Sequence, residues 1–404
     1  MKYNYNQKSV TNSPATLRKR GWGKGLFLIL LTSLSTLTHA QSSIDNIIKA
    51  IAENNIELKA LQSDNQATVF EMKSENVLAG PSIEYSPFFT KGYSGVASSE
   101  LIVSEEFDFP TKYSQRKKQA ALERDVLDSE YKVREREILL KARQLCYDII
   151  EQNQRIDLLT QRHKQSDSIA ILLQKRMDAG DANALELNKA KMERMQSAQE
   201  LVEAQNLRKE YLQQLQSLNA NKAVTLDEKE LPEISSTLPS TFSTSLPSVQ
   251  SAESSLSASV HNESISRQSW APSITMGYRR NTEEKTSLNG FLVGMSFPLF
   301  NTQNKVKAAK QRRQSAELRL DQARQEAEAE QRSRYQRLTE LRSVMDHSDI
   351  QLLKETLPLL DKALYHGQIN ALQYYAEYND LYDKILKHIS LHCQYLKLYA
   401  ELYN

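Results

Sequence analysis

The chain has 404 residues, and its 52 Lys and Arg against 50 Asp and Glu leave a formal net charge of only +2. That balance excludes the basic surplus of a nucleic-acid surface, and a hydrophobic share of 40% excludes wholesale disorder. Only 11 Gly and 10 Pro interrupt a mixture rich in Gln, Glu, Lys, Arg, Ala and Leu, which is the composition of long helices and coiled coils.

Residues 1–40 read as an export signal. Arg18, Lys19, Arg20 and Lys24 precede an apolar run from Leu26 to Leu37, and Thr38-His39-Ala40-Gln41 supplies small or polar residues suited to cleavage after Ala40. The run falls short of the roughly 20 residues that a spanning helix needs. No cysteine lies near residue 41, so lipid anchoring there is excluded, and no later stretch is long and apolar enough to span as a helix.

A first structural unit, 41–218, opens with a moderately amphipathic helix over 42–78, ended by Pro81. Ser82–Thr90 and Gly95–Phe109 read as two strands around a Lys91-Gly92-Tyr93-Ser94-Gly95 turn. Pro110 suits a helix start, and from Thr111 the period is helical up to Gly180. Within that stretch Ile138, Ala142, Leu145, Ile149, Ile156 and Leu159, with Gln152 in the gap, form a heptad row, the mark of a coiled-coil seam. At about 1.5 Å per residue such a helix is a rod of roughly 100 Å. Gly180 breaks it, and Asn183 is placed to cap a returning helix that runs to Leu218.

Residues 219–247, with Pro232, Pro239 and Pro247 among many Ser and Thr, read as a linker. A second unit, 248–404, then repeats the first: a helix from Val249 to Gln268, strands at Ser273–Arg280 and Ser287–Phe300, and a long helix over Thr302–His366. Phe291, Val293, Met295 and Phe297 alternate with Leu292, Gly294 and Ser296 in its second strand. Gly367 turns the long helix into a last one. The repetition is literal in places. Gly80-Pro81-Ser82-Ile83 returns as Ala271-Pro272-Ser273-Ile274, and Gly180-Asp-Ala-Asn183-Ala184-Leu185 as Gly367-Gln-Ile-Asn370-Ala371-Leu372, each about 190 residues on.

Four strands of this length can cross a bilayer when tilted, but they are too few to close, because spanning barrels have at least eight. Open edges are not tolerated in lipid. Strands that span must therefore borrow partners from other copies, and three copies give an even twelve. The alternative is two water-exposed hairpins at one end of a helical rod.

These pieces resemble the TolC family of outer-membrane efflux proteins over essentially the whole mature sequence. The resemblance rests on Gly80-Pro81 before the first strand, Phe107-Asp-Phe109-Pro110-Thr111 after the first hairpin and Phe297-Pro298-Leu299-Phe300-Asn301 after the second. It also rests on Arg176-Met-Asp-Ala-Gly180 at the first turn and Leu381-Tyr382 beyond Gly367. It implies a mainly α fold in which long coiled-coil helices form a periplasmic α-barrel and four strands per chain enter a trimeric twelve-stranded transmembrane β-barrel, with a linker belt at the equator. It implies a homotrimer set in outer-membrane lipid, a passive exit duct for an inner-membrane pump of the resistance–nodulation–division type, joined through a periplasmic adaptor. Metal ions or drugs would be its cargo. The docking tip would comprise Arg176, Gly180, Asn183, Gly367 and Asn370.

The chain departs from the family pattern in two places. Ala363 stands in the second half where Arg176 stands in the first, and Gln373 and Ala376 occupy positions where family members carry carboxylate rings. Glu377 and Asp380 lie nearby, and Tyr374, Tyr375 and Tyr378 are candidates for a constriction by bulk or for core packing.

No nucleophile elbow, P-loop or dinucleotide loop is present, so neither enzyme activity nor a cofactor is expected. His388 and His392 sit i, i+4 before Cys393, a weak metal-ligand spacing with helix packing as the alternative. Cys146 and Cys393 read as small buried hydrophobes or as a pair. The clusters Arg116-Lys117-Lys118 and Lys305, Lys307, Lys310, Arg312, Arg313 follow the second strand of each unit, suited to headgroups, to a duct mouth or to a solvated face. Pro358 is expected to kink the second rod. A periplasmic adaptor and a secreted coiled-coil protein are the competing function classes. The first would have one helical hairpin, and the second would not need proline-bounded strands at duplicated positions.

Overall fold

The computed structural model describes residues 37–181, 183–234, 246–283, 286–298 and 302–403. Residues 1–36 of the stretch 1–40 read as an export signal, the linker stretch 235–245 with Pro239, and residues 299–301 lie outside the described residues; residues 37–40 of that first stretch form the start of the first helix.

The elements follow the repeat. The first unit holds α1 (Leu37–Asn54), α2 (Ile56–Ser74), β1 (Ser82–Phe88), β2 (Ser98–Asp108), α3 (Pro110–Asp178) and α4 (Ala184–Leu218). The second holds α5 (Pro247–Arg267), β3 (Ser273–Glu283), β4 (Thr286–Ser296), α6 (Thr302–Asp346), α7 (Ile350–Tyr365) and α8 (Ala371–Tyr403). With 69 residues, α3 is a rod of about 100 Å. Pro110 takes its first position, where a missing N–H costs nothing.

Two expected helices are divided. The helix expected over 42–78 splits at Asn55, which is 5% exposed. Its side chain accepts from Leu58 N at 3.0 Å and donates to the Leu218 carbonyl at 2.9 Å. The amide thus caps α2 and ties it to the end of α4. The second rod is interrupted at residues 347–349, where Asp349 caps α7 by accepting from Leu352 N at 2.9 Å. Pro358, the expected site of a kink, lies inside α7. An N-terminal cap rather than a proline sets the break, since the aspartate satisfies an amide that a helix start leaves open. The strands also shift slightly: β1 and β4 end earlier than expected, at Phe88 and Ser296, and β3 runs on to Glu283.

The four strands form one antiparallel sheet in the order β1-β2-β3-β4, so β2 and β3 join the two units and β1 and β4 are left as edges. Register sorts the residues by face, because directly opposed residues share one. Ile83 and Tyr85 oppose Val103 and Leu101; these oppose Tyr278 and Arg280; Tyr278, Met276 and Ile274 oppose Phe291, Val293 and Met295. This face is mostly apolar and open: Phe291 is 92% exposed, and Ile83, Val293 and Met295 are all exposed, while Glu105, Arg280 and Asn289 are its charged and amide members. The other face carries Ser82, Glu84, Glu100, Ser104, Thr275, Arg279 and Asn281, interrupted by Ile102, Leu288 and Leu292. Arg279 pairs with Glu100 there, and Ser82 Oγ lies 2.9 Å from Ser104 Oγ. Gly277 sits opposite Ser104, where a Cβ would meet the Val103 carbonyl at 2.5 Å. No helix among the described residues is long and apolar enough to cross a membrane.

The helices bury two separate cores. One gathers the middle of the molecule: Ile44 and Ile51 of α1, Ile138, Ala142, Leu145 and Ile149 of α3, Leu338 of α6 and Leu396 of α8. These α3 residues are the first four of the heptad row read from the sequence; Ile156 and Leu159, which continue the row, are not part of this core. The linker closes over this core with Leu226 and Leu231, and Asn153 holds it by donating to the carbonyls of Leu226 at 3.1 Å and Glu228 at 2.8 Å. Cys146 and Cys393 belong to this core as free thiols. Burial pushes the Cys146 thiol up to about 12. The second core lies at the two turns.

Candidate functional site at the two helical turns

Both turns are built by the same local chemistry. At the end of α3, Gly180 takes φ 81°, its N–H bonds to the Met177 carbonyl at 3.0 Å, and Asp181 N–H bonds to the Arg176 carbonyl at 2.7 Å. At the end of α7, Gly367 takes φ 69°, its N–H bonds to Leu364 O at 3.1 Å, and Gln368 N–H bonds to Ala363 O at 2.9 Å. Each is a Schellman motif, which glycine enters without the Cβ penalty of left-handed backbone. Nothing lies within 4 Å of where a Cβ would project from either glycine.

The returning helices are capped alike. Asn183 Oδ1 accepts from Leu185 N at 2.6 Å, and the Glu186 carboxylate reaches back to Asn183 N–H at 3.5 Å. Asn370 Oδ1 accepts from Gln373 N at 2.8 Å, and Gln373 Oε1 reaches Asn370 N–H at 3.4 Å. Both are capping boxes. This explains Gln373: it is the third helical residue of a box, the partner of Glu186 by position, and its side chain is turned to its own backbone. The pattern Asn-x-x-Glu/Gln is visible in the sequence and would have identified it.

A common core brings the two turns together. Ile169, Ala170 and Leu173 precede Gly180, Leu187 and Ala190 follow it, Leu364 precedes Gly367, and Ala371, Tyr374, Tyr375, Tyr378 and Tyr382 follow that. Tyr374 and Tyr375 are fully buried, with ring centroids 5.2 Å apart, edge to face. Tyr374 stacks on Tyr378 at 4.9 Å, and Tyr378 lies 4.7 Å from Tyr382. Burial pushes the phenols of Tyr374, Tyr375 and Tyr378 up from their ordinary value. A constriction made by the bulk of Tyr374, Tyr375 and Tyr378 is therefore not what this arrangement offers, since their rings are already packed inside the chain. Glu377 and Asp380 are exposed, and Asp380 pairs with Lys384 at 2.5 Å.

Polar contacts stitch the helices beneath the turns. Asp361 of α7 accepts from Gln165 of α3 and from Tyr374 OH of α8, both at 2.7 Å. Arg162 of α3, 2% exposed, donates to Glu200 of α4 at 2.6 Å and to Asn379 of α8 at 3.0 Å. Its guanidinium also lies 5.4 Å from the Tyr382 ring. Glu193, equally buried, binds Lys189 at 2.6 Å and accepts from Asn379 at 3.0 Å. A buried arginine whose two terminal nitrogens are directed at carboxylates and an amide is costly to disturb.

The surface above is apolar as well as polar. Met177, Leu185, Tyr365 and Leu372 are exposed around the turns. Leu185 and Leu372 hold the same position in the two capping boxes, and neither was singled out from sequence as a contact residue. Arg176 is half-buried and makes no ion pair among the described residues.

The spacing His388, His392, Cys393 does not converge on a metal. His388 Nδ1 faces Ser348 Oγ at 3.2 Å, His392 Nε2 faces the Pro232 carbonyl at 3.0 Å, and Cys393 points to Asp148. Asp148, Glu151 and Cys393 do lie together, but Lys397 already occupies the cation position at Asp148.

No family model matches the sequence, and no curated protein matches it either. Solved structures do match. A structure of CusC, concerned with conformational changes accompanying folding and transmembrane channel formation, superposes with a TM-score of 0.77 at 16% identity, over 90% of this chain and 91% of that one. The Campylobacter jejuni CmeC outer membrane channel gives 0.74 at 12% identity, over 96% and 93%. A membrane protein from Pseudomonas aeruginosa gives 0.76 at 16% identity, over 95% and 96%. With the four-stranded open sheet, the long rods and the paired turns, these likenesses establish that the chain has the fold of TolC-family outer-membrane channels.

Proposed function

We propose that the protein is the outer-membrane exit duct of a tripartite efflux system. Three copies join the edges β1 and β4 into a twelve-stranded barrel, the helices extend into the periplasm, and the two-turn tip meets a periplasmic adaptor that couples it to an inner-membrane pump. The duct is passive, and metal ions or drugs supplied by the pump pass through it. The observation that carries this reading is a sheet with an open apolar face and two unpaired edges, joined through a rod of about 100 Å to two exposed glycine turns that share one core. A single-hairpin adaptor does not account for two duplicated hairpins, and a secreted coiled coil does not account for the sheet.

At the tip, Gly180, Gly367, Asn183 and Asn370 set the shape, while Arg176, Leu185 and Leu372 supply polar and apolar contact. Glu377 and Asp380 are the carboxylates available to ring the opening. Gly180→Trp tests the docking role cleanly, because the added side chain projects into open space and its intramolecular cost is confined to the backbone, about 1–2 kcal/mol. The variant is expected to form membrane-inserted trimers but to lose crosslinking to a co-expressed adaptor and to lose efflux. Undiminished crosslinking and efflux would show that Gly180 is only a helix cap.

A further inference from the structure

One end of the sheet carries two successive layers that the duct reading does not use. The pairs Asp108–Ser273 and Ser273–Ser296 place the ends of β2, β3 and β4 in one row. Just beyond that row stand Phe109, Trp270 and Phe297, which are 38%, 66% and 54% exposed. Exposed aromatics at a single level beside an apolar sheet face are the interfacial girdle of a membrane barrel.

Directly past the girdle the chain becomes cationic. From Pro110 to Leu122 in α3 and from Thr302 to Ala316 in α6 there are nine Lys and Arg and no Asp or Glu. Asp108 neutralises Lys112 at 3.1 Å and Arg116 at 2.7 Å, and Glu263 and Glu317 lie 3.4 and 3.2 Å from Arg313. The other six, Lys117, Lys118, Lys305, Lys307, Lys310 and Arg312, are exposed and pair with no carboxylate among the described residues. They start within about 5–15 Å of the helix origins at 1.5 Å per residue. That is the depth of a headgroup layer that long side chains reach by extending along the surface.

We infer that this collar binds the phosphodiester headgroups of anionic phospholipids in the leaflet on the helical side of the barrel. This collar presupposes the membrane-spanning sheet proposed above and adds a ligand class to it. Six unpaired cations per copy present a dense positive ring to that leaflet, and each such cation contributes attraction to an anionic surface. The girdle fixes the level at which the ring meets it.

The test uses the full-length trimer in nanodiscs of equal parts phosphatidylcholine and cardiolipin, with the lipids that remain bound after detergent extraction counted by native mass spectrometry. The wild-type protein is expected to enrich cardiolipin. The enrichment should shrink between low and high salt, because exposed charges are screened within a few ångströms at molar ionic strength. Combined Lys117→Gln, Lys118→Gln, Lys305→Gln, Lys307→Gln and Lys310→Gln should lower it by about tenfold or more, and the matching Lys→Arg set should retain it. Wild-type enrichment that ignores salt, or equal enrichment in the Gln variant, overturns the inference. So does unchanged enrichment with altered ion selectivity in a planar bilayer, which would place the collar in the duct. Failure of the wild-type protein to enter any bilayer would instead sink the membrane reading itself.

Discussion

At the scale of single residues, small amides do much of the organising. Asn183 and Asn370 start the returning helices, and Asn55 both starts α2 and holds the last carbonyl of α4. Asn55 is the most exacting of the three because it is buried and uses both ends of its side chain. Replacing it by Ala removes a cap and strands a part-buried carbonyl, which together cost about 1–3 kcal/mol. The expected outcome is a lowered guanidinium midpoint for loss of helical signal, with Asn55→Asp intermediate because it keeps the acceptor and loses the donor. An unchanged midpoint in the Ala variant would show that water replaces both contacts. The two turn glycines differ in kind, since what they supply is a sign of φ rather than a contact, and the space beside them is empty.

At the scale of elements, the long α3 rod, the four strands and both glycine turns were legible in the sequence because each has a period or a breaker. The heptad row from Ile138 to Ile149 enters the central core as read, and Phe291, Val293 and Met295 share one face as their alternation implies. The breaks at Asn55 and Asp349 were not legible. Each is made by one polar residue within an otherwise helical pattern, and such residues are ordinary on long charged helices. The roles of His388 and His392 were hidden for another reason: their partners, Ser348 and Pro232, are 40 and 160 residues away. These two contacts fasten α8 to the α6–α7 break and to the linker. Burial holds both imidazoles below their ordinary value; Lys354 adds to this at His388 and His388 adds to it at His392, while the Pro232 carbonyl opposes it. Asp157 of α3, Lys229 and Glu230 of the linker, and Lys354 and Asp361 of α7 line the same groove. Because the folded state favours the neutral rings, their contribution is intact above the unfolded value of about 6.5 and is lost as pH falls through the lowered folded values. Hydrogen-exchange protection at residues 348–352 should therefore drop as pH falls below about 6.5. Paired His388→Gln and His392→Gln should flatten that dependence, and an equal drop in the paired variant would assign it to other groups.

At the scale of the whole molecule, everything turns on which face of the sheet looks outward once the edges close. The single chain leaves β1 and β4 unpaired and the face of Ile83, Tyr85, Val293 and Phe291 open to solvent, an arrangement that is unstable in water and that lipid together with neighbouring copies would satisfy. Phe291 stands at the middle of β4, between Thr286 and Ser296, so in a closed barrel it lies near the mid-depth of the bilayer. Leu292, one residue on, belongs to the opposite face with Gly277 and Arg279, where the barrel interior is wet. A lysine at mid-depth on a lipid face costs about 2–4 kcal/mol per copy, whereas interior changes tune conduction instead. In the proposed trimer three copies would compound the cost. Phe291→Lys should therefore deplete heat-modifiable trimer from the outer-membrane fraction, while Leu292→Lys should assemble normally and shift ion selectivity towards anions. If Leu292→Lys fails to assemble and Phe291→Lys does not, the faces are reversed, and the register would then have to be read with the polar row against lipid.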